Sequence, residues 1–406
     1  MLAVSRLLAV ARGALSDAGE AGAREDVGDE SARYGPRSGP AVVVWNVCRH
    51  CNQRCPHCYI AAGPRPSRGA LDTESGKRLL ETLARGGVRN VVLSGGEPLL
   101  REDLVLLVRH ATGLRMNAHL STNGTLLDSA MARTLAAAGL SYAGVSIDGP
   151  REANDATRGM PGGFDRAVEG LLAAREAGIA AGLRMTLTRG SAPHVEELAE
   201  IARSLGLDRF YLSHLVYSGR GLGLMPDALP GGETRSVVEG LFRLAERWLD
   251  EGAPTRVVTG AGDFDGPCLV LAVRDRHGVA AARRVERMLA ARGGNPAGEG
   301  VLAVDPRGRV YPDPFWRTAP LGNLARQSLA EILAHPLARE LARREELLTG
   351  RCGACVFKPL CRGAHRARAE AATGERWGPD PACTLTDEEI AAHANPLELM
   401  PAGSAR

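Results

Sequence analysis

The sequence predicts an α/β chain, a partial (β/α)6 TIM-like barrel with a small cysteine-rich domain near its C-terminal end. Three observations carry that expectation. Between residues 41 and 213, β-branched runs alternate with amphipathic helical stretches. Polar or Gly-rich segments follow four of those runs, and the cysteines gather at two places, one beside the first run and one late in the chain. Alternation of strand and helix is the pattern of βα units around a parallel sheet.

Taken in order, Met1 to Arg12 reads as a short helix whose apolar stripe is broken by Arg6 and Arg12, so no signal-peptide core forms. An acidic, Gly- and Ala-rich stretch to about Arg33 completes an N-terminal extension and linker, residues 1–40. Strands are expected at 41–46, 90–93, 116–120, 142–146, 181–186 and 209–213, with helices near 74–85, 102–111, 129–138, 164–177 and 195–205. Six strands are too few to close an eight-fold barrel. The sheet of residues 41–225 therefore stays open on one side, admits a large substrate, and carries its reactive groups at the C-terminal strand ends. Residues 226–300 read as a mostly helical connecting region with Gly-rich interruptions at 259–266 and 293–295. A second unit, 301–390, opens with a hairpin over 301–311 that turns at Pro306 to Gly308, and 391–406 form a loose tail.

Composition narrows the function classes. The chain of 406 residues suits one large domain plus a smaller one, and a net charge of +3 gives no electrostatic case for nucleic acid. Lys77 and Lys358 are the only lysines. A GC-rich coding bias produces such a composition, and guanidinium forks also suit carboxylate-rich ligands. No run is long and apolar enough to span a membrane. Nine cysteines at short spacings, in a chain too large to need staples, favour metal binding in a reducing, cytoplasmic compartment.

Cys51, Cys55 and Cys58 form CxxxCxxC directly after the first apolar run. Three thiolates this close at a strand end can hold three irons of a cubic [4Fe-4S] cluster and leave the fourth iron open to a small molecule; a zinc site or chance clustering are the other readings. Ser94 to Pro98, Ser121 to Gly124, Ser146 to Gly149 and His214 to Gly221 fall on the same rim. Cys48, three positions before Cys51, could compete for the open iron, but a residue just inside a strand end rarely reaches the same cube and it reads as a buried thiol; Cys268 has no partner at metal spacing and reads the same way. Later in the chain, Cys352, Cys355, Cys361 and Cys383 can fully ligate either zinc or a second [4Fe-4S] cluster, and their spacing does not choose between them.

Cys51, Cys55 and Cys58 after the first strand, with Gly95, Gly96, Glu97 and Pro98 after the second, resemble the radical S-adenosylmethionine enzymes over most of the chain from Val42 onward. The resemblance implies that the open iron is chelated by the amino and carboxylate groups of S-adenosylmethionine. It further implies that an electron from the reduced cluster splits the sulfonium to a 5'-deoxyadenosyl radical, the cofactor doing the hard chemistry and the protein the placement. By the same resemblance, Gly95 to Pro98 bind the methionine amino group, with glycines allowing close backbone approach. Ser146 and Asp148 then lie near the ribose, Arg184 pairs with the methionine carboxylate as a fork, and Ser121 and Asn123 line the site. His57 stands where the family usually has an aromatic residue and is expected to pack by the adenine. The segment from Cys352 to Cys383 resembles a reduced SPASM domain, which implies a small C-terminal iron-sulfur domain with one auxiliary [4Fe-4S] cluster. Where the full pattern continues with further cysteines after Cys361, this chain has Arg362 to His365, and His365 is read as a bystander.

Within the family, residues 33–39, Phe210 to Gly221, Pro314 to Trp316, Leu321 to Asn323, Gly350 to Cys355 and 366–374 resemble enzymes of the siroheme-dependent haem and haem d1 routes. That implies removal of acetate or propionate groups from a siroheme-derived tetrapyrrole, deacetylation of 12,18-didecarboxysiroheme foremost, with a reductant such as ferredoxin or flavodoxin. Arg158, Arg220 and Arg317 are candidate partners for the carboxylates of such a flat polyanion. His214 is either an axial ligand to its iron or a polar strand-end residue. Cys48 to His50 and Arg362 to Ala364 depart from the usual runs beside the two thiol groups. A radical SAM/SPASM maturase of a ribosomally made peptide is the alternative. A zinc or electron-transfer protein without radical chemistry is the alternative of another class, and it would not need Gly95 to Pro98.

Overall fold

The computed structural model describes residues 1–15, 40–66 and 68–391. The expected linker, the 33–39 segment and the tail beyond 391 lie outside the described residues. Strands β1 (Leu2–Ala3), β2 (Val42–Cys48), β3 (Asn90–Gly95), β4 (Asn117–Thr122), β5 (Leu140–Ser146), β6 (Ala180–Leu187), β7 (Arg209–His214), β8 (Arg256–Gly260), β9 (Val301–Val304), β10 (Arg309–Tyr311) and β11 (Gly322–Asn323) join in one sheet. Its order is β1-β8-β7-β6-β5-β4-β3-β2-β9-β10-β11. From β8 through β9 every neighbouring pair is parallel, and the outer strands pair antiparallel.

Helices α1 (Val4–Ala11), α2 (Thr73–Arg85), α3 (Leu104–Gly113), α4 (Ser129–Ala137), α5 (Arg151–Arg158), α6 (Gly163–Glu176), α7 (Val195–Ser204), α8 (Gly231–Asp250) and α9 (Asp265–Arg292) link and cover the strands. Their local causes are visible in the sequence. Asp72 caps α2 by accepting from the Ser75 amide at 2.8 Å, and Leu79, Leu80 and Leu83 bury its inner face. Asp128 caps α4 in the same way through the Met131 amide. Alternation along each strand sends one set of side chains outward under the helices and the other into the lumen. Trp45, Val91, Leu93, Leu120 and Phe210 lie in the main core cluster.

The six expected strands and five expected helices form in order, and the sheet is open. Two regions differ from the sequence reading. Residues 226–300 contribute β8, a further parallel strand beside β7, and a long helix, α9, broken at Gly278 with φ 82° and ψ 171°. The strand was hidden because Arg256 to Gly260 is only 5 residues long and ends in a Gly-rich turn. The start of the chain is also more integrated than an extension. Leu2 and Ala3 pair with Thr259 and Val258, and α1 buries Val4, Leu7, Leu8 and Ala11 against the core.

Candidate active site and thiol clusters

β2 ends at Cys48, and the segment that follows crosses the C-terminal rim of the sheet. Its path is fixed by backbone bonds: the Cys51 amide donates to Gly63 at 2.9 Å and the Gly63 amide to Arg49 at 3.1 Å. Arg220 clamps the same segment, its Nε donating to the Cys55 carbonyl at 2.8 Å and its Nη1 to the Ala62 carbonyl at 2.5 Å. Cys51, Cys55 and Cys58 carry free thiols and line one cavity. They lie close enough for their charges to interact, and burial, helped by that repulsion, pushes Cys51 up to about 12 and raises Cys55. Buried thiols that resist ionising alone suit a cationic cluster, which takes them as thiolates. Among the described residues no three His, Cys, Asp or Glu side chains converge on a point that could hold a single metal ion. A cluster sets a looser requirement, because each thiolate binds its own iron.

The opposite wall is backbone. Gly95 takes φ +136°, and a Cβ there would lie 2.4 Å from the Cys48 carbonyl oxygen; at Gly96 it would lie 2.0 Å from that of His50. Only glycine lets β3 approach the cysteine segment so closely. Glu97 stands behind this wall, fully buried, accepting from the Thr122 hydroxyl at 2.7 Å and the Asn123 and Leu99 amides at 2.8 and 3.1 Å. Burial raises its pKa against those bonds. Of the nine residues expected around the cofactor, Gly95, Gly96, Ser121, Asn123, Ser146 and Arg184 line the cavity, whereas Glu97, Pro98 and Asp148 lie behind it. Arg184 donates to the Ser121 hydroxyl at 2.6 Å and stacks over Tyr211 at 5.0 Å.

Asp148 has other partners than a ribose. Its Oδ2 accepts from Arg158 at 2.5 Å and lies 3.2 Å from His57 Nε2, and its Oδ1 accepts from the Thr186 amide at 2.8 Å. Burial opposes its ionisation, yet Arg158 and His57 hold the carboxyl below its usual range. Arg158 also donates to Gln53 Oε1 at 3.2 Å and reaches Cys55 Sγ at 3.8 Å. His57 thus bonds into a buried polar network that ties the cysteine segment to β5. Arg158 and Arg220 are engaged in holding that segment, and Arg317, which stacks on Tyr311 at 4.2 Å, lines neither this cavity nor the deeper lobe that continues from it. His214 lines the cavity with Nε2 bound to Asp265 at 2.9 Å.

The late cysteines also assemble. Cys361 lies within charge range of Cys352, Cys355 and Cys383, and burial first, then those neighbours, drives its pKa well up. Cys383 is pushed up to about 12 for the same leading reason. All four thiols are free. Cys268, read as a lone buried thiol, packs beside them, its Sγ 3.2 Å from the Thr384 hydroxyl.

A second lobe, about 1170 Å³ with its open mouth, continues from the cysteine cavity down the lumen. Tyr59, Ser94, Ser121, Arg184, Tyr211 and Phe315 border both lobes. Tyr142, Arg209 and His119 face the deeper one, together with His365. Sequence reasoning missed Tyr142, Arg209 and His119, although their alternation along β4, β5 and β7 marks the inward set.

The rim of free thiols against a glycine wall, at the strand ends of an open parallel sheet, defines an iron-sulfur enzyme of the radical SAM superfamily, and the chain belongs to that family. The model of the radical SAM superfamily matches residues 45–202, and that of SPASM, an iron-sulfur cluster-binding domain, matches 296–356. The enzyme thus works with a catalytic [4Fe-4S] cluster, S-adenosylmethionine and an auxiliary cluster. The SPASM match ends before Cys361 and Cys383, which the fold brings to Cys352 and Cys355. The chain is 39% identical over 355 residues to Fe-coproporphyrin III synthase of Methanosarcina barkeri strain Fusaro, covering 86% of this chain and 89% of the relative. It is 38% identical over 351 residues to pre-heme d1 synthase of Dinoroseobacter shibae, covering 86% and 87%. The solved structure of native anSMEcpe with bound AdoMet shares the fold with a TM-score of 0.66 at 19% identity, over 84% of this chain and 93% of that one. Among the described residues no helix is long and apolar enough to cross a membrane.

Proposed function

We propose that this enzyme removes acetate or propionate groups from a siroheme-derived iron tetrapyrrole, with deacetylation of 12,18-didecarboxysiroheme as the leading case. The observation that carries the reading is the continuity of the two lobes: the cavity of the three thiols opens directly into a large lumen walled by aliphatic, tyrosine and arginine side chains. The names of the two tetrapyrrole-modifying relatives support the same substrate class.

Cys51, Cys55 and Cys58 hold the catalytic cluster; when bound there it supplies the electron that splits S-adenosylmethionine into methionine and the 5'-deoxyadenosyl radical that attacks substrate. Gly95 and Gly96 present backbone to the methionine amino group, Arg184 meets its carboxylate, and Ser121, Asn123 and Ser146 complete the pocket. Glu97 and Pro98 position these groups from behind, and Asp148 holds the cysteine segment through Arg158 and His57. Cys352, Cys355, Cys361 and Cys383 hold the auxiliary cluster, and a small ferredoxin or flavodoxin supplies electrons from a reducing cytoplasm.

Anaerobic reconstitution, reduction with dithionite and incubation with S-adenosylmethionine and 12,18-didecarboxysiroheme test the assignment. The expected products are 5'-deoxyadenosine and a tetrapyrrole lighter by its acetate groups. A fully loaded protein that leaves the tetrapyrrole unchanged but alters the mass of a ribosomal peptide would establish the maturase alternative instead. Absence of 5'-deoxyadenosine at full iron content would remove radical chemistry altogether.

A further inference from the structure

Four histidines border the two lobes: His57 and His214 the cysteine cavity, His119 and His365 the deeper one. Three of them have a ring nitrogen engaged within the protein. His57 Nε2 lies 3.2 Å from Asp148 and His214 Nε2 2.9 Å from Asp265, while His119 reaches Asn90 Oδ1 at 3.5 Å and the Ser141 hydroxyl at 3.3 Å. His365, a bystander by its place in the sequence, differs from all of them. Its Nδ1 is buried without a hydrogen-bond partner, and the carboxylate facing its Nε2, Asp313 Oδ2, stands 3.9 Å away, beyond hydrogen-bond reach. The residue is only 4% exposed. A buried imidazole with neither nitrogen bonded is unfavourable by itself, so its place in the wall calls for a partner from outside the chain.

The surroundings indicate what that partner is. His365 is held in position, its backbone amide donating to Asp380 Oδ2 at 2.8 Å and its ring packed edge-on against Phe315 at 5.3 Å, which in turn packs on Tyr59 at 5.1 Å. Burial pushes its pKa below the ordinary histidine value, and the neutral ring is the form that ligates a metal. Asp313 commits Oδ1 to the Phe315 and Trp316 amides at 2.7 and 3.0 Å and turns Oδ2 toward the imidazole. A neutral base beside a carboxylate suits a cation; a substrate carboxylate would be repelled by Asp313. A free metal ion needs three or more protein ligands, and no such set converges among the described residues. An iron already held in plane by the four nitrogens of a macrocycle needs only an axial one. We infer that His365 is the axial ligand to the iron of the substrate, with the macrocycle seated in the deeper lobe between the cysteine cavity and the C-terminal unit. The inference rests on the tetrapyrrole reading above and adds to it the side chain that fixes where the ring sits.

The test uses the cluster-loaded enzyme with two probes, iron coproporphyrin III and its metal-free form, followed by the Soret band and, for the ferric probe, by electron paramagnetic resonance. With the wild-type enzyme the iron probe should show the spectrum of a histidine-ligated haem, and the metal-free probe should bind more weakly. His365→Gly should raise the Kd of the iron probe by roughly tenfold or more and leave that of the metal-free probe within about twofold. Added imidazole should restore the ligated spectrum in that variant. Circular dichroism reports folding, and if His365→Gly is not folded, His365→Gln, which keeps a polar side chain without an imidazole, should show the same split between the probes. The wild-type ligation spectrum in a folded variant, or equal weakening of both probes, overturns the axial role while leaving the tetrapyrrole reading standing. Failure of the wild-type enzyme to bind either probe, with 5'-deoxyadenosine still formed, overturns the tetrapyrrole reading itself.

Discussion

At the scale of single residues, the decisive groups are those whose bonds are already spent inside the protein. Asp148 is 3% exposed, and Arg158, His57 and the Thr186 amide engage its carboxylate, so its work is to hold the cysteine segment. Asp148→Asn leaves Arg158 buried without its counter-charge, which costs about 3–5 kcal/mol. We expect a lower melting temperature and poorer iron loading, with the S-adenosylmethionine Kd of the loaded fraction unchanged; a weakened Kd at wild-type stability would return the residue to the ribose. Asp103 carries a pH dependence away from the clusters. Arg101 grips it with Nε at 2.6 Å and Nη2 at 2.9 Å, and the Thr73 hydroxyl donates at 2.6 Å. Burial opposes its ionisation, but these bonds win and hold the carboxyl below its usual range. A folded pKa below the unfolded one means that the contribution is fully present above about pH 4 and fades as pH falls through the depressed value. Asp103→Asn should thus lower the melting temperature near neutrality, by the equivalent of roughly 1.5–3 kcal/mol for a charge-assisted pair, with the difference from wild type shrinking in acid. A gap that stayed constant down to the acid limb would remove the ion pair as its cause.

At the scale of elements, β3 and the cysteine segment are joined by contact so close that one methyl group separates function from failure. Gly96→Ala puts Cβ 2.0 Å from a backbone carbonyl that no rotamer change can move. The forced shift of β3 or of the His50 to Cys58 segment should abolish cluster loading as read by iron content and visible absorption. Gly113→Ala, at the end of α3 with nothing within 4 Å of the new carbon, should instead be neutral or stabilise by about 0.5–1 kcal/mol. Equal loading in the two variants would show that close approach at Gly96 is not needed. This contrast also marks what the sequence makes legible. The thiol motif, the Gly-Gly run and the strand-helix alternation are local signals, and β2 to β7 fall where their periodicities put them. What escaped is non-local. Val258 and Thr259 become a strand because β7 and the start of the chain offer them partners, and Tyr142 and Arg209 become cavity walls because glycines on adjacent strands let their neighbours lie flat. Glu97 and Asp148 sit in motifs at the rim, yet whether such a carboxylate faces the ligand or the protein depends on partners tens of residues away.

At the scale of the whole molecule, the C-terminal unit is built onto the barrel through the sheet. Val301 to Val304 pair in parallel with Val42 to Trp45, the strand that delivers the cysteine segment, and β10 and β11 extend the same sheet. Arg368, fully buried, binds Asp380 at 2.7 and 2.8 Å and also donates to the Leu215 and Ala261 carbonyls on the barrel rim. Emptying the auxiliary thiols and removing the unit that carries them are therefore different perturbations. A chain ending at Gly300 loses the outer partner of β2, exposing a Val-rich strand edge of the kind that pairs between molecules and aggregates. It should be recovered mostly insoluble, with little iron in the soluble fraction. Cys361→Ser combined with Cys383→Ser deletes two thiols and leaves the strand pairing intact, and it should give a folded protein that has lost about four irons, one cube's worth. That variant should still form 5'-deoxyadenosine under dithionite, because Cys51, Cys55 and Cys58 line a cavity to which Cys361 and Cys383 contribute no side chain. If the truncated chain were soluble and fully loaded at the first cluster, the shared sheet would not be what holds β2 in place; if the double serine variant lost all of its iron, the two thiol sites would depend on each other more closely than the strand pairing requires.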